Sequence, residues 1–270
     1  MKLKKEIYLL IFLSILTLSS FAIFGLGKDK IQNSENSNRR LYKLNTDWRF
    51  QLGDGLAFSN DTFNDSSWRL LNIPHDWSVE GVYDTIYGTD WQSGYLPAGI
   101  GWYRKELILK EDPTAHTIEL QFDGVYMNSS VWVNGHFIGN HKYGYTAFHY
   151  DVTSYLRKGK NTIAVKVDHS KPKSGRWYTG SGIYRNVWLK VLPKTHFKSL
   201  EQYVDVKFLN DSLVMVEAHA ELLNKNNDSV KGKLVQKIFD ENLKFVTSEE
   251  KEVSIASKDS IIVSQKIELI

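Results

Sequence analysis

Asp76 in His75-Asp76-Trp77, Arg176-Trp177-Tyr178 before the corner Gly180-Ser181-Gly182, and Trp91 and Tyr95 in the loop between Ser78 and Gly101 are the groups best suited to hold a ligand. Flat ring faces take the apolar side of a ligand, while a carboxylate or guanidinium fixes its polar groups. The glycines let the main chain bend tightly and bring such rings to a surface. Each group also has a plainer role. Asp and His beside a proline often satisfy turn backbone. Trp177 serves equally as core filler or as site. Arg104 reads as a strand arginine paired with an acid, and Asn134-Gly135 as a hairpin turn rather than a ligand amide.

The chain has no cysteine, which excludes disulfides, thiolate metal sites, a cysteine nucleophile and a lipid-modified N-terminal cysteine. Its formal charge is +3, of which Lys2, Lys4, Lys5 and Glu6 supply +2, so the basic balance gives no argument for a nucleic-acid partner. Five Asn-x-Ser/Thr sequences, Asn60-Asp61-Thr62 among them, carry no weight without a eukaryotic secretory route.

Residues 1–27 open with the lysine cluster and continue as an uncharged apolar run, the layout of an export signal, or of an anchor if uncleaved. Either way the folded part is expected outside the cytoplasm. Residues 28–40 form a polar linker too poor in apolar side chains to order itself. All eight tryptophans lie between Trp48 and Trp188, which separates an aromatic-rich first domain, 41–196, from a plainer second one, 197–270.

Short strands are expected through the first domain, at Leu44–Leu52, Trp68–Ile73, Trp102–Leu109, Thr117–Phe122, Ser129–Val133, His136–Gly139, Ala147–Val152, Asn161–Val167 and Val187–Leu192. In Ile118-Glu119-Leu120-Gln121-Phe122 the apolar side chains alternate, so one face needs a covering sheet. The fold class is therefore all-β, a jelly-roll sandwich followed by a second sandwich of immunoglobulin size. Strands are expected in the second at Leu213–Leu222, Leu234–Phe239 and Ile261–Leu269, and it reads as truncated.

Six ordered motifs, Trp48-Arg49-Phe50, Ile73-Pro74-His75-Asp76-Trp77-Ser78, Gly101-Trp102-Tyr103-Arg104-Lys105, Phe122-Asp123-Gly124-Val125, Val131-Trp132-Val133-Asn134-Gly135 and Gly180-Ser181-Gly182-Ile183-Tyr184-Arg185-Asn186-Val187, resemble the N-terminal region of glycoside hydrolase family 2, most closely that of bacterial β-galactosidases. The resemblance implies a sugar-binding jelly roll, an immunoglobulin-like sandwich, and then a TIM barrel with the two catalytic glutamates of a retaining mechanism. Its implied partners are a β-galactoside-like oligosaccharide or glycan and that C-terminal barrel.

No acidic pair here matches the family's catalytic motif, so no catalytic residue, metal ligand or cofactor is assigned, and the 270-residue chain is expected to be inactive alone. The substrate-binding candidates are Arg176, Trp177, Tyr178, Trp91, Tyr95 and Asp76. Some family members carry an acidic residue where Arg176 stands, one that serves a sodium ion and the sugar; the departure puts both in question. Alternatives are a stand-alone carbohydrate-binding module, a structural exported β-protein without a ligand, or part of a β-glucuronidase or β-mannosidase.

Overall fold

The computed structural model describes residues 13–14, 39–87, 91, 94–171 and 178–269. The expected export signal and linker lie outside these residues, apart from Arg39, Arg40 and the two-residue strand β1 (Leu13–Ser14), whose backbone pairs with Lys237 and Gln236. No described residue is in an α-helix. The chain divides into two compact units, one from Arg39 to Val191 and the other from Leu192 onward.

The first unit is a sandwich of β2 (Arg40–Lys43), β3 (Trp48–Leu52), β4 (Arg69–Leu71), β5 (Gly99–Leu109), β6 (Thr117–Phe122), β7 (Ser129–Val133), β8 (His136–His141), β9 (Phe148–Asp151), β10 (Gly159–His169) and β11 (Val187–Leu192). One sheet runs β4-β3-β5-β10-β7-β8 and the other β2-β11-β6-β9. Between them Trp48, Tyr103, Phe122, Val131, Val165 and Val187 are fully buried. β5 and β10 are antiparallel over eleven rungs, from Leu109↔Gly159 to Gly99↔His169. That last rung carries both loops of the candidate site.

β5 shows why an alternating pattern is incomplete evidence. Glu106 and Ile108 are exposed as alternation demands, yet Gly101 to Lys105 are buried on both faces. The segment between β3 and β4 folds over the outer face, packing Phe58, Phe63 and Trp68 against Trp102. Arg104, 1% exposed, fastens it, with Nε to Asp65 at 2.8 Å and Nη1 to the carbonyls of Phe58 and Asn60 at 2.6 and 2.9 Å. The arginine therefore has the structural role expected of it.

Asn134 and Gly135 take φ of 51° and 80°, the hairpin turn its sequence calls for. The strand expected from Leu44 begins only at Trp48, because Asp47 adopts φ 56° and breaks the extended run. β4 is shorter than the expected Trp68–Ile73, since Trp68 turns into the outer cluster and Ile73 bonds to Asn45. β8 continues past Gly139 to His141, and β2 was not foreseen.

The second unit comprises β12 (Thr195–Phe197), β13 (Tyr203–Phe208), β14 (Val214–Asn224), β15 (Val230–Phe239), β16 (Phe245–Ile255) and β17 (Ser260–Leu269). β12 and β13 share one edge of β14, β17 takes the other, and β15 and β16 form a hairpin. Its core has two apolar clusters, one around Val214, Val216, Ile238 and Ile267, the other around Leu222, Leu234, Ile255 and Val263. Ala218, Gln236 and Gln265 stand between them in sequence and line a pocket. β13 and β16 lack a clean alternation, being exposed along most of their length, and the sequence did not announce them.

Candidate functional site

The site is built where the turn after β4 meets the corner before β11. His75 N donates to Ile183 O at 2.8 Å and Trp77 N to Ser181 O at 3.0 Å, so the two segments pair like a short ladder. On its other side Gly182 exchanges both backbone bonds with Tyr126, at 2.8 and 2.9 Å. A backbone held from both sides leaves no room for a side chain. Gly182 has φ 134°, and a Cβ there would stand 2.5 Å from both His75 O and Tyr103 Oη.

Asp76 ties the corner together. Its Oδ1 accepts the amides of Ser181 and Ser78 at 2.8 and 3.0 Å, and its Oδ2 accepts the Tyr178 hydroxyl. The backbone turn and the phenol are thus held by different oxygens of one carboxylate. Asp76 is half-buried and Tyr178 exposed, and Oδ2 keeps acceptor capacity for a further hydroxyl. Burial and the neighbouring Asp76 push the Tyr178 hydroxyl well above the usual tyrosine range, so it stays a neutral donor.

Beneath this surface run two proton-ordered chains. Ser78 Oγ lies 2.7 Å from Pro97 O, 2.6 Å from Ser181 Oγ, which in turn lies 2.6 Å from His169 Nδ1. A carbonyl only accepts, so Ser78 donates to Pro97, Ser181 donates to Ser78, and His169 Nδ1–H donates to Ser181. His169 therefore cannot act as base toward Ser181, and the Ser–His contact is structural. In the second chain the Tyr103 hydroxyl lies 2.7 Å from His75 Nδ1, and His75 Nε2 is 3.3 Å from Glu80 Oε1.

Burial lowers the pKa of both histidines, for His75 against the opposing pull of Glu80. Glu80 is held down to about 2, mainly by its two bonds from Arg69 at 2.5 and 2.6 Å.

Tyr178 is 42% exposed, and Tyr83, within electrostatic reach of its hydroxyl, is 77% exposed. Trp91 and Tyr95, at 73% and 37%, sit on the same loop as Tyr83, which is closed by Asp84 N to Tyr95 O at 3.0 Å. Among the described residues no ring contact joins Trp91 to Tyr178. Arg176 and Trp177 lie outside the described residues. The structure thus unites Asp76 and Tyr178, adds Tyr83, and places Trp91 and Tyr95 on the adjoining loop. His169 and Ser78 escaped sequence reasoning because only the fold brings them to Ser181. Among the described residues no group of three His, Asp or Glu side chains is placed to hold a metal ion.

Residues 41–193 match the family described as "Glycosyl hydrolases family 2, sugar binding domain". The chain is similar to beta-galactosidase BoGH2A of Bacteroides ovatus, 39% identical over 192 residues that cover 71% of this chain and 23% of that protein. Among solved structures it is similar to a glycosyl hydrolase family 2 member from Bacteroides cellulosilyticus, with TM-score 0.77 and 34% identity over 86% of this chain and 31% of that one. It is also similar to Bacteroides uniformis beta-glucuronidase, with TM-score 0.77 and 25% identity over 86% of this chain and 28% of the other. The chain spans about a quarter of the length of the curated relative and under a third of either solved chain.

Proposed function

The chain belongs to glycoside hydrolase family 2, contributing its sugar-binding domain, and from that premise we propose that it is the N-terminal, non-catalytic part of an exported β-galactosidase-like enzyme. The whole enzyme hydrolyses terminal β-linked sugars, with its carboxylate pair supplied by a barrel that belongs to the remainder of such a protein. In this reading the Asp76–Tyr178 pair is a sugar-facing wall: the carboxylate and the phenol fix hydroxyls, and the open rings of Tyr178 and Tyr83 receive an apolar sugar face. The observation that carries it is the exposed Tyr178 ring whose hydroxyl is locked on Asp76. Trp91 and Tyr95, on the adjoining loop, extend the wall in this proposal, and Arg176 and Trp177 are proposed as further sugar contacts from their residue types alone. Export rests on the lysine cluster and apolar run of residues 1–27.

Calorimetric titration of the purified chain with galactose tests it. Binding is expected, weakened by Tyr178→Ala, with no release of p-nitrophenol from p-nitrophenyl β-galactoside. Absence of galactose binding overturns the wall, and turnover by the purified chain overturns its non-catalytic role. The similarity to a β-glucuronidase favours one second reading, a glucuronide-binding wall. Titration with glucuronate in place of galactose distinguishes the two.

A further inference from the structure

A second group of exposed rings adjoins this wall. Tyr143 and Tyr145, 60% and 42% exposed, project from the turn between β8 and β9 with ring centroids 5.6 Å apart. The turn is firmly seated. Tyr145 meets the buried Tyr126 edge to face at 5.4 Å, and Tyr126 meets His169 in the same manner at 5.0 Å. The Tyr184 hydroxyl holds Gly144 O at 2.7 Å, and the Asn128 amide holds Lys142 O at 3.3 Å. A side chain at Gly144 would run into the Tyr126 ring. Tyr145 and the backbone of the turn are therefore fixed by buried partners and Tyr143 packs on Tyr145, so the turn has little ordering entropy to lose on binding.

The turn is also continuous with the first wall. Tyr126, whose ring packs on Tyr145, exchanges backbone bonds with Gly182 in the corner that follows Tyr178. Lys142, next to Tyr143 in the turn, and Arg185, next to Tyr184, are exposed donors. Alternating ring faces and hydroxyls suit consecutive pyranose rings.

We propose that Tyr143 and Tyr145 form a second carbohydrate platform, taking a further pyranose of the oligosaccharide whose terminal sugar sits at Tyr178. The platform rests on the reading of Asp76 and Tyr178 as a sugar wall. It assigns the domain a preference for oligosaccharides over monosaccharides.

The test is titration of the chain with galactose and with β-(1→4)-linked galactotriose. The trisaccharide is expected to bind roughly three- to tenfold more tightly. Tyr143→Ala, at the outer ring that packs on Tyr145, is expected to erase that advantage while leaving galactose binding unchanged; Tyr143→Trp is expected to keep it. Equal binding of the two sugars by the unaltered chain overturns the platform alone, as does a Tyr143→Ala chain that keeps the advantage. If neither sugar binds, the Asp76–Tyr178 wall fails and the platform fails with it.

Discussion

The Tyr178 hydroxyl donates to one oxygen of Asp76 while the other oxygen of the same carboxylate holds the amides of Ser181 and Ser78. The two ends of this residue can be separated by substitution. Asp76→Ala strips the buried Ser181 amide of its partner and is expected to cost about 2–3 kcal/mol, whereas Tyr178→Phe removes one half-exposed bond and costs about 1 kcal/mol or less. Urea denaturation of both variants measures the difference; equal costs would mean that Asp76 does not organise the corner.

Gly182 and Gly53 both have positive φ, 134° and 117°, but only Gly182 is crowded. A Cβ at Gly53 meets nothing within 4 Å. Gly53→Ala is therefore expected to cost about 1 kcal/mol from backbone conformation alone, and Gly182→Ala more than about 3 kcal/mol because His75 O or the Tyr103 hydroxyl must move as well. Thermal melts of the two variants rank them.

Stability should fall with acid in two steps. Buried His75 and His169 have pKa values below the ordinary 6.5, so the unfolded chain takes up protons that the folded chain refuses once pH drops below about 6.5. Glu80 adds a second step. Its pKa of about 2 lies below the ordinary 4.5, so its contribution is intact above pH 4.5 and is lost as pH falls toward 2. Both steps have the same sign. Denaturation midpoints between pH 7.5 and 5.5 should decline in the native chain and flatten in His169→Gln; an unchanged decline would remove His169 from the account.

How much of this the sequence disclosed depends on the range of the interactions involved. Thr117–Phe122 and Val187–Leu192 were legible to the residue because their apolar side chains recur at alternate positions, although Glu119 and Lys190 on the other face are buried as well. β5 and β10 proved longer than expected because glycines at their ends, Gly99 and Gly159, interrupt the apolar pattern without interrupting the ladder. Asp76 and Tyr178 were legible as candidates through residue type and the nearby corner. Their direct bond was not, since 102 positions separate them. Ser181 with His169, and Tyr103 with His75, were hidden for the same reason: their partners are chosen by tertiary contact.

In the second unit, Gln236 is 1% exposed, and among the described residues neither its Oε1 nor its Nε2 has a partner. Gln236→Met keeps the volume and removes the unsatisfied amide, so it is expected to raise stability by about 1 kcal/mol. A lower melting temperature would show that the amide is satisfied by solvent in the pocket lined with Gln265 and Ala218.

The closing rung of β5 and β10, Gly99 opposite His169, is the point from which the loop back to Ser78 and the loop forward to Tyr178 both depart. Any slip of that rung carries the two loops together. With the first taken back to Asp76, they constitute one exchangeable cassette: transplanting a relative's loops as a matched pair onto an intact rung preserves their mutual aim, whereas replacing either alone parts Asp76 from the Tyr178 it was paired with and leaves the graft without its keystone.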